Sequence, residues 1–479
     1  MSIKQILSNF ELKQNDKSIT ENENKNLFVH GWVRTLRSSS NSLLFCNIND
    51  GSNTQGLQLI LSDEEIEKDK IENFNKSVQT GTYIKCSGPL VDSPAAKQKF
   101  EMKVKVYWII GEVGEGYPLS KTKINLDTLR LNCHLRSRTN TFGSIFRIRS
   151  SLMKSIHDFF HNLDYLHLDP NIITINECEG GAGVFQLTEK DINDLDNLKF
   201  KDKKYIWNND HFNKPAYLTV SSQLQLEAMA CSLGNVYTVN KSFRSEHSNT
   251  TKHVSEFTHL EIEIINNTLN ELMDVGEELI KFSIEFIMKY RLEDIENLNS
   301  FMSKGIIDKL KNIKNKKFNK IKYVDLINEI NDDIDKDKKI KLEKLKYGED
   351  LGSKYEDYIT KKYDNGVFVT HWPISIKSFY MKQSENNECE CFDLLMPYGI
   401  GELIGGSQRE ENLEKLLNMM KIKGVDENNM KFYTDLRKYG TCVHGGFGLG
   451  FDRLLMMITG IQNIKDVIPF PVHYKSCHY

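Results

Sequence analysis

Between residues 27 and 110 apolar and polar positions alternate in short runs: LFVHGWVRTLR, LLFCNIND, GLQLILSD, GTYIKCSGPLV and KFEMKVKVYWIIGEV. Turn residues such as Asn49-Asp50-Gly51-Ser52 separate them, the signature of strands with one buried face. Five such strands predict a small barrel of the OB type over 27–116, preceded by an extension at 1–26. Barrels of this kind commonly bind oligonucleotides on a strand face, and also occur as plain scaffold. Phe45, on the LLFCNI run, is read either as a base-stacking residue or as barrel core. Further along, the apolar period lengthens. Ile148, Leu152, Ile156, Phe159 and Phe160 recur at helical spacing, which predicts an amphipathic helix with its stripe in a core or a dimer contact. From residue 366, GVFVTHWP, ECECFDLLMP and GELIGGSQRE read as strands with glycine turns, and HGGFGLGFDRLLMMITG as a strand entering a helix. The fold class implied is α+β: the N-terminal OB-fold β-barrel, a basic hinge at 117–142, and over 143–479 an antiparallel β-sheet flanked by helices.

Charge refines this picture locally. The hinge region carries Arg130, Arg136, Arg138, Arg147 and Arg149, the best candidate in the chain for phosphate-backbone contacts, with a solvated linker as the other reading. Residues 190–214 and 303–348 are rich in Lys, Asn and Asp and read as solvated insertions without chemistry. The net charge of −3 gives no global attraction to nucleic acid. No stretch approaches the ~20 apolar residues of a membrane span. The start, MSIKQILSNFELKQNDK, reads as neither a secretory signal nor a transit peptide, so the expected location is the cytoplasm. The nine cysteines form no C-x-x-C pair, which argues for reduced thiols and against a zinc site. Both parallel-sheet nucleotide signatures, G-x-x-x-x-G-K-[ST] and G-x-G-x-x-G between strand and helix, are missing.

The chemistry concentrates in FRSEHSNTTKHVSEFTHLEIE, residues 243–263. On a strand, period two places Phe257, His259, Glu261 and Glu263 on one face, beside Arg244, and turns Leu260, Ile262 and Ile264 to the other. An aromatic ring and two carboxylates are costly to bury without ligands. A phosphate for the arginine, a purine for the phenylalanine and an ammonium or amide for a carboxylate would suit them, as in ATP plus an amino acid.

FRSEHSNTTKHVSEF (243–257) resembles motif 2 of the class II aminoacyl-tRNA synthetases, and GFGLGFDRLLM (446–456) resembles their motif 3. The Arg147–Pro170 segment resembles motif 1, the dimer element. With a barrel in front, this order resembles the aspartyl, asparaginyl and lysyl subclass, over roughly residues 27–479. CEGGAGVF (178–185), LTVSSQLQLE (218–227), GELIGGSQREE (401–411) and RKYGTCVHGGFGLGFDR (437–453) followed by DVIPFP resemble the asparaginyl family. Leu226 stands where the aspartyl siblings carry the lysine that neutralises bound aspartate, and Glu261 where they tend to carry an aspartate; both point to a neutral amide.

The resemblance implies a homodimeric enzyme that activates L-asparagine with ATP and Mg²⁺, releases pyrophosphate and transfers the amino acid to tRNA-Asn. It implies roles residue by residue. Arg244 would hold the α-phosphate and steady the transition state, and Phe257 and Arg453 would sandwich adenine. Glu246 and His253 would lie on the ATP side. Glu402 would ligate magnesium with help from Asp393; the serine that joins that glutamate in the aspartyl enzymes is Gly405 here. Glu179 and Gln223 would grip the ammonium and carboxylate of the amino acid, with Gly180, Gly181 and Gly183 letting the Glu179 loop close. Arg409 and Glu261 would read the side-chain amide. On the anticodon side Phe45 would stack a base, if it is not barrel core. Three other readings stay open: an aspartyl enzyme, discriminating or non-discriminating; a paralogue that makes free asparagine, a type that lacks the barrel; and a non-catalytic RNA-binding relative, which would be expected to lose Arg244, Glu402 or Arg453.

Overall fold

The five alternating runs become seven strands because backbone chemistry cuts two of them. In the computed structural model, which describes residues 1–15, 27–94, 98–119, 124–175, 183–194, 198–201 and 204–479, GTYIKCSGPLV breaks at Gly88-Pro89. Proline offers no N–H to a ladder, and a Cβ on Gly88 would lie 1.9 Å from the Lys103 carbonyl oxygen. The chain forms two units, Met1–Arg147 with Glu296–Phe301 and Ile148–Ile295 with Met302–Tyr479.

The first unit opens with α1 (Ile3–Asn15) and continues through β1 (Leu27–Ser40), β2 (Leu43–Asn49), β3 (Leu57–Ser62), α2 (Lys68–Ser77), β4 (Tyr83–Gly88), β5 (Leu90–Asp92), β6 (Phe100–Lys103) and β7 (Val106–Gly111). The sheet order is β5-β6-β3-β2-β1-β4-β7. Alternation sends Leu44, Cys46 and Ile48 of β2 into a core shared with Leu57, Leu59 and Leu61 of β3. Ile3, Ile6 and Phe10 of α1 are buried in the same core, so the start of the extension at 1–26 belongs to the barrel. Phe45 lies between two core residues and turns outward, half-buried, with Arg37 and Ile60 as cross-strand neighbours.

Three helices follow: α3 (Leu126–Leu131), α4 (Cys133–Arg136) and α5 (Asn140–Asn162). Arg136, Arg138 and Arg147 of the basic run have partners within the first unit. Arg136 is fully buried with its guanidinium 4.5 Å from the Phe142 ring centroid. Arg138 sits 5.1 Å from the Trp32 ring. Arg147 donates to the Gly51 carbonyl at 2.9 Å and to Thr54 Oγ1 at 3.3 Å.

The unit boundary falls inside α5. In the second unit Ile148, Leu152, Ile156 and Phe160 of that helix are fully buried, so the stripe is core. After β8 (Leu166–His167), short strands β9 (Ile173–Thr174), β10 (Gln186–Leu187), β11 (Phe200–Lys201), β12 (Lys204–Tyr205) and β13 (Ala216–Leu218) form two small sheets. Then come α6 (Gln223–Leu233), β14 (Val236–Phe243), β15 (Glu256–Ile265), α7 (Leu269–Tyr290), α8 (Leu292–Phe301), α9 (Ile306–Asn315), β16 (Asn319–Lys322), α10 (Tyr323–Lys336) and α11 (Ser353–Tyr363). The chain ends with β17 (Val367–Thr370), β18 (Cys391–Met396), β19 (Gly401–Gln408), α12 (Leu413–Ile422), α13 (Lys431–Lys438), β20 (His444–Gly450) and α14 (Phe451–Thr459).

The main sheet runs β16-β17-β18-β19-β20-β15-β14-β8. It is antiparallel except at its two edges, where β16 pairs with β17 and β8 with β14 in parallel. The stretch 303–348 is therefore more than a solvated insertion. Its Lys and Asp residues cover the outer faces of α9 and α10, while Leu310, Ile313, Tyr323, Leu326, Ile327 and Ile330 are buried, and β16 is an edge strand of the sheet. A lysine-rich composition masked an ordinary amphipathic period. None of the described helices is long and apolar enough to cross a membrane.

Candidate active site

Three adjacent central strands build the site. β15 pairs with β14 on one side and β20 on the other, and β20 pairs with β19. Side chains from FTHLEIEII, GELIGGSQ and HGGFGLG thus meet on one surface although nearly 200 residues separate the first from the last.

Two cavities adjoin there. One, of about 740 Å³, is lined by Arg244, Glu246, Lys252, His253, Phe257, Glu402 and Arg453 among others. All six residues expected on the ATP side line it. The second, of about 1000 Å³, is lined by Ser221, Gln223, Glu261, Lys377, Asp393 and Arg409 among others. Arg244, His259, Glu402, Gly405 and Gly448 border both. A molecule in one cavity would meet a molecule in the other beside an arginine and a carboxylate.

In the first cavity the charged groups are partly exposed. The Arg244 guanidinium lies 5.5 Å from the Phe257 ring centroid and 4.0 Å from Glu246. Arg453, at the start of α14, donates to the Glu402 carbonyl oxygen at 2.7 Å. Its neighbour Asp452 is buried, accepting from the Thr258 backbone N–H at 2.8 Å and from Arg149 at 2.5 Å; this ties α14 to β15. Burial, with Arg453 nearby, lowers the pKa of His253, whose ring meets Thr250 Oγ1 at 2.5 Å.

At the junction, Asp393 of β18 faces Gly405 of β19. A Cβ on Gly405 would lie 3.4 Å from Glu402 Oε1 and 3.6 Å from Asp393 Oδ1, so two carboxylate oxygens flank this residue. The other Asp393 oxygen accepts from Lys377 Nζ at 2.6 Å. Burial, with Glu402 adding repulsion, pushes the Asp393 carboxyl up to about 6 against the pull of Lys377. A pair of carboxylates beside room for a phosphate suits Mg²⁺, which keeps several waters and takes one or two carboxylates plus substrate oxygens.

In the second cavity the charges are buried and already partnered. Glu261 accepts from the Ser221 hydroxyl and from the Ser222 backbone N–H at 2.9 Å. Arg409 forks onto Glu263 with hydrogen bonds of 3.0 and 2.8 Å and donates to Ser407 Oγ at 2.8 Å. This arrangement requires glycine at 446, where a Cβ would lie 2.3 Å from Glu263 Oε2.

Leu226, where the aspartyl siblings carry a lysine, is set apart from both cavities. It is fully buried with Ala230 and Val236 and lines neither cavity, because α6 turns its apolar face to the sheet there. Any effect of losing a lysine at this position acts through the missing amine, without contact from leucine. Glu179, Gly180 and Gly181 lie outside the described residues; Gly183 accepts from the Ser245 backbone N–H at 2.8 Å.

Sequence reasoning missed Lys252 and Lys377, isolated lysines in no periodic pattern. It also missed a buried network around Glu227, whose carboxylate accepts from Tyr433, Arg437, His444 and Gln223. Those four partners span residues 223 to 444, and no spacing rule connects them.

A family model described as tRNA synthetases class II (D, K and N) matches residues 125–474, and one described as OB-fold nucleic acid binding domain matches 28–110. The chain belongs to the class II tRNA synthetases (D, K and N). An asparagine–tRNA ligase of Clostridium kluyveri is 39% identical over 451 residues, 93% of this chain and 94% of that protein. One of Treponema denticola is 41% identical over 452 residues, 92% and 94% of the two. An asparaginyl-tRNA synthetase of Pyrococcus horikoshii, solved with asparaginyl-adenylate, matches with a TM-score of 0.81 and 28% identity, covering 96% of this chain and 99% of that one.

Proposed function

We propose that the chain is an asparagine–tRNA ligase: it activates L-asparagine with ATP, releases pyrophosphate and transfers asparagine to the 3′ end of tRNA-Asn. The observation that carries the reading is the adjoining of the two cavities at Arg244 and Glu402, in a chain about 40% identical to asparagine–tRNA ligases.

In this proposal ATP occupies the first cavity, with adenine between Phe257 and Arg453 and the outer phosphates toward Glu246 and His253. Asparagine occupies the second. Glu179 and Gln223 grip its α-ammonium and α-carboxylate end, with the Gln223 carbonyl oxygen toward the ammonium, and its amide is read by Arg409 as donor and Glu261 as acceptor. The asparagine carboxylate oxygen forms a bond to the α-phosphorus and the bond to the β-phosphate oxygen breaks. No side chain need take a proton, so positioning and charge carry the step. Arg244, bordering both cavities, meets charge growing on the α-phosphoryl oxygens. Glu402 with Asp393 would hold Mg²⁺, which when bound neutralises phosphate charge. The terminal tRNA hydroxyl then attacks the acyl carbon and AMP leaves. Aspartate is rejected because its second carboxylate would face Glu261.

The domain reading extends the proposal: 27–116 binds the anticodon, with Phe45 as a stacking residue supported by its outward half-exposed position, and 143–479 is catalytic. The active form is a homodimer, supported by exposed Leu163 and Leu166 at 45–46%, just before and on the edge strand β8. The proposed location is the cytoplasm, to be checked by cell fractionation.

ATP–pyrophosphate exchange with asparagine and aspartate in parallel tests the reading. Exchange with asparagine alone supports it. Exchange with aspartate would overturn the side-chain assignment, and none with either would overturn catalysis.

A further inference from the structure

Glu227 stands one helical turn after Gln223 on α6, and its side chain is fully buried. Its Oε1 accepts from Gln223 Nε2 at 3.0 Å. Its Oε2 accepts from the Tyr433 hydroxyl at 2.6 Å, Arg437 Nη2 at 3.1 Å and His444 Nε2 at 3.1 Å. Arg409 Nε lies 3.7 Å from the same carboxylate. The other His444 nitrogen meets the Cys442 carbonyl oxygen at 2.8 Å. Both partners of that ring are acceptors, so the ring carries two protons and is a cation. Burial alone would raise the pKa of Glu227, but His444, Arg437 and Arg409 hold it well below the ordinary carboxylate range.

An ionised carboxylate only accepts hydrogen bonds. Gln223 must therefore turn its NH₂ toward Glu227, and its carbonyl oxygen is the amide atom left for the cavity it lines. Were Glu227 neutral and able to donate, the carboxamide could flip and offer NH₂ instead. A carbonyl oxygen attracts an ammonium and an NH₂ group repels one. We infer that Glu227 is a positioning residue for the amino-acid cavity: it fixes the Gln223 carboxamide so that an acceptor, not a donor, faces the α-ammonium of the substrate. This rests on the reading of the second cavity as the asparagine site. It adds a residue that touches no substrate yet determines how the α-amino group is held.

A role in orientation differs from a role in general packing by which part of the substrate feels it. Glu227→Gln keeps the shape and keeps an oxygen for Tyr433, Arg437 and His444, but places an NH₂ against Gln223 and permits the flip. The KM for asparagine in pyrophosphate exchange is expected to rise about tenfold or more with kcat changed less than about threefold, the range of one charge-assisted hydrogen bond. Inhibition by succinamate, which is asparagine without its α-amino group, is expected to keep its Ki. Gln223→Glu combined with Glu227→Gln restores an acceptor toward the cavity and a donor behind it, and is expected to recover most of the lost KM.

A parallel rise of KM and of the succinamate Ki would overturn the inference, as would an unchanged KM or a double variant no better than Glu227→Gln. If Glu227→Gln does not fold, Glu227→Asp takes its place. It keeps the charge but is too short to reach Gln223 and the three donors together, and the same split is expected at smaller size; no split overturns the inference. Calorimetric binding of asparagine and succinamate separates the two readings. A wild-type chain that binds asparagine without exchange removes only the proposed function, and the split is then read from the binding constants. One that binds neither removes both.

Discussion

The two cavities are neighbours on one sheet, yet their charges are organised differently. Around the first, Arg244, Glu246, His253 and Phe257 are partly exposed, and Arg244 and Glu246 meet only at 4.0 Å. Around the second, Arg409 and Glu261 are 3% exposed and Glu263 and Glu227 are fully buried, each with close partners. Loosely held charges suit a flexible polyanion whose own phosphates complete the site. A small neutral amide offers few handles, so the protein must fix donors and acceptors in advance. Stability and function are therefore expected to separate at the first cavity and to coincide at the second.

The largest effect should come from breaking the buried pair of the second. Arg409→Met leaves Glu263 without its guanidinium, and loss of one partner from a buried pair costs about 3–5 kcal/mol. Chemical denaturation should register that loss together with the loss of asparagine-dependent exchange. Arg244→Ala is the counterpart in the first cavity. Exchange should fall by about 10²–10³, the scale of one preorganised transition-state donor, while the unfolding midpoint stays put. If Arg244→Ala destabilises the chain as much as Arg409→Met does, the contrast between the cavities is wrong.

The network behind the second cavity should also show itself in pH. Burial works against the charged His444 ring, but Cys442 and Glu227 push its pKa up to about 10, from an ordinary value of about 6.5. A raised folded-state pKa stabilises fully below the unfolded value and loses that contribution as pH rises through the folded one. The groups facing the ring are Glu227, Cys442 and, further off, Glu263. Unfolding free energy should therefore decline from about pH 6.5 toward 10, and His444→Gln should flatten the difference curve. A curve unchanged by the substitution would mean that the ring is neutral in the fold.

This asymmetry also explains what could be read from the chain alone. The first cavity comes from local sequence: FRSEH, HVSEF and GFDR carry its chemistry within short segments, and alternation assigns their faces. The barrel runs were visible for the same reason, apart from the breaks at Gly88-Pro89 and within KFEMKVKVYW. The second cavity depends on buried pairs between distant segments. Alternation put Glu263 on the ligand face, and its role as the anchor of Arg409 shows only in the fold. Glu227 carries no local signal of its role. For Leu226 a motif comparison fixes the position along the chain but not the direction of the side chain, which is buried with Ala230 and Val236. Composition misled in one place, where lysines hid the buried face of α9 and α10.

The smallest expected effect lies where the cavities join. Gly405 is flanked by Glu402 Oε1 and Asp393 Oδ1 at ordinary van der Waals distance from a Cβ, and its φ is not positive, so serine fits without strain. Gly405→Ser adds a hydroxyl beside both carboxylates, a further oxygen for a hard cation. Half-maximal exchange is expected at about two- to threefold lower Mg²⁺, a modest gain because this ion usually keeps several waters. KM for asparagine and the melting temperature should not move. An unchanged Mg²⁺ dependence would place the ion away from Gly405 and favour Glu402 acting without Asp393, whose second oxygen is already held by Lys377. A change in asparagine KM instead would mean that the junction belongs to the amino-acid cavity, and the division between a loosely held phosphate side and a fixed amide side would have to be redrawn through Glu402.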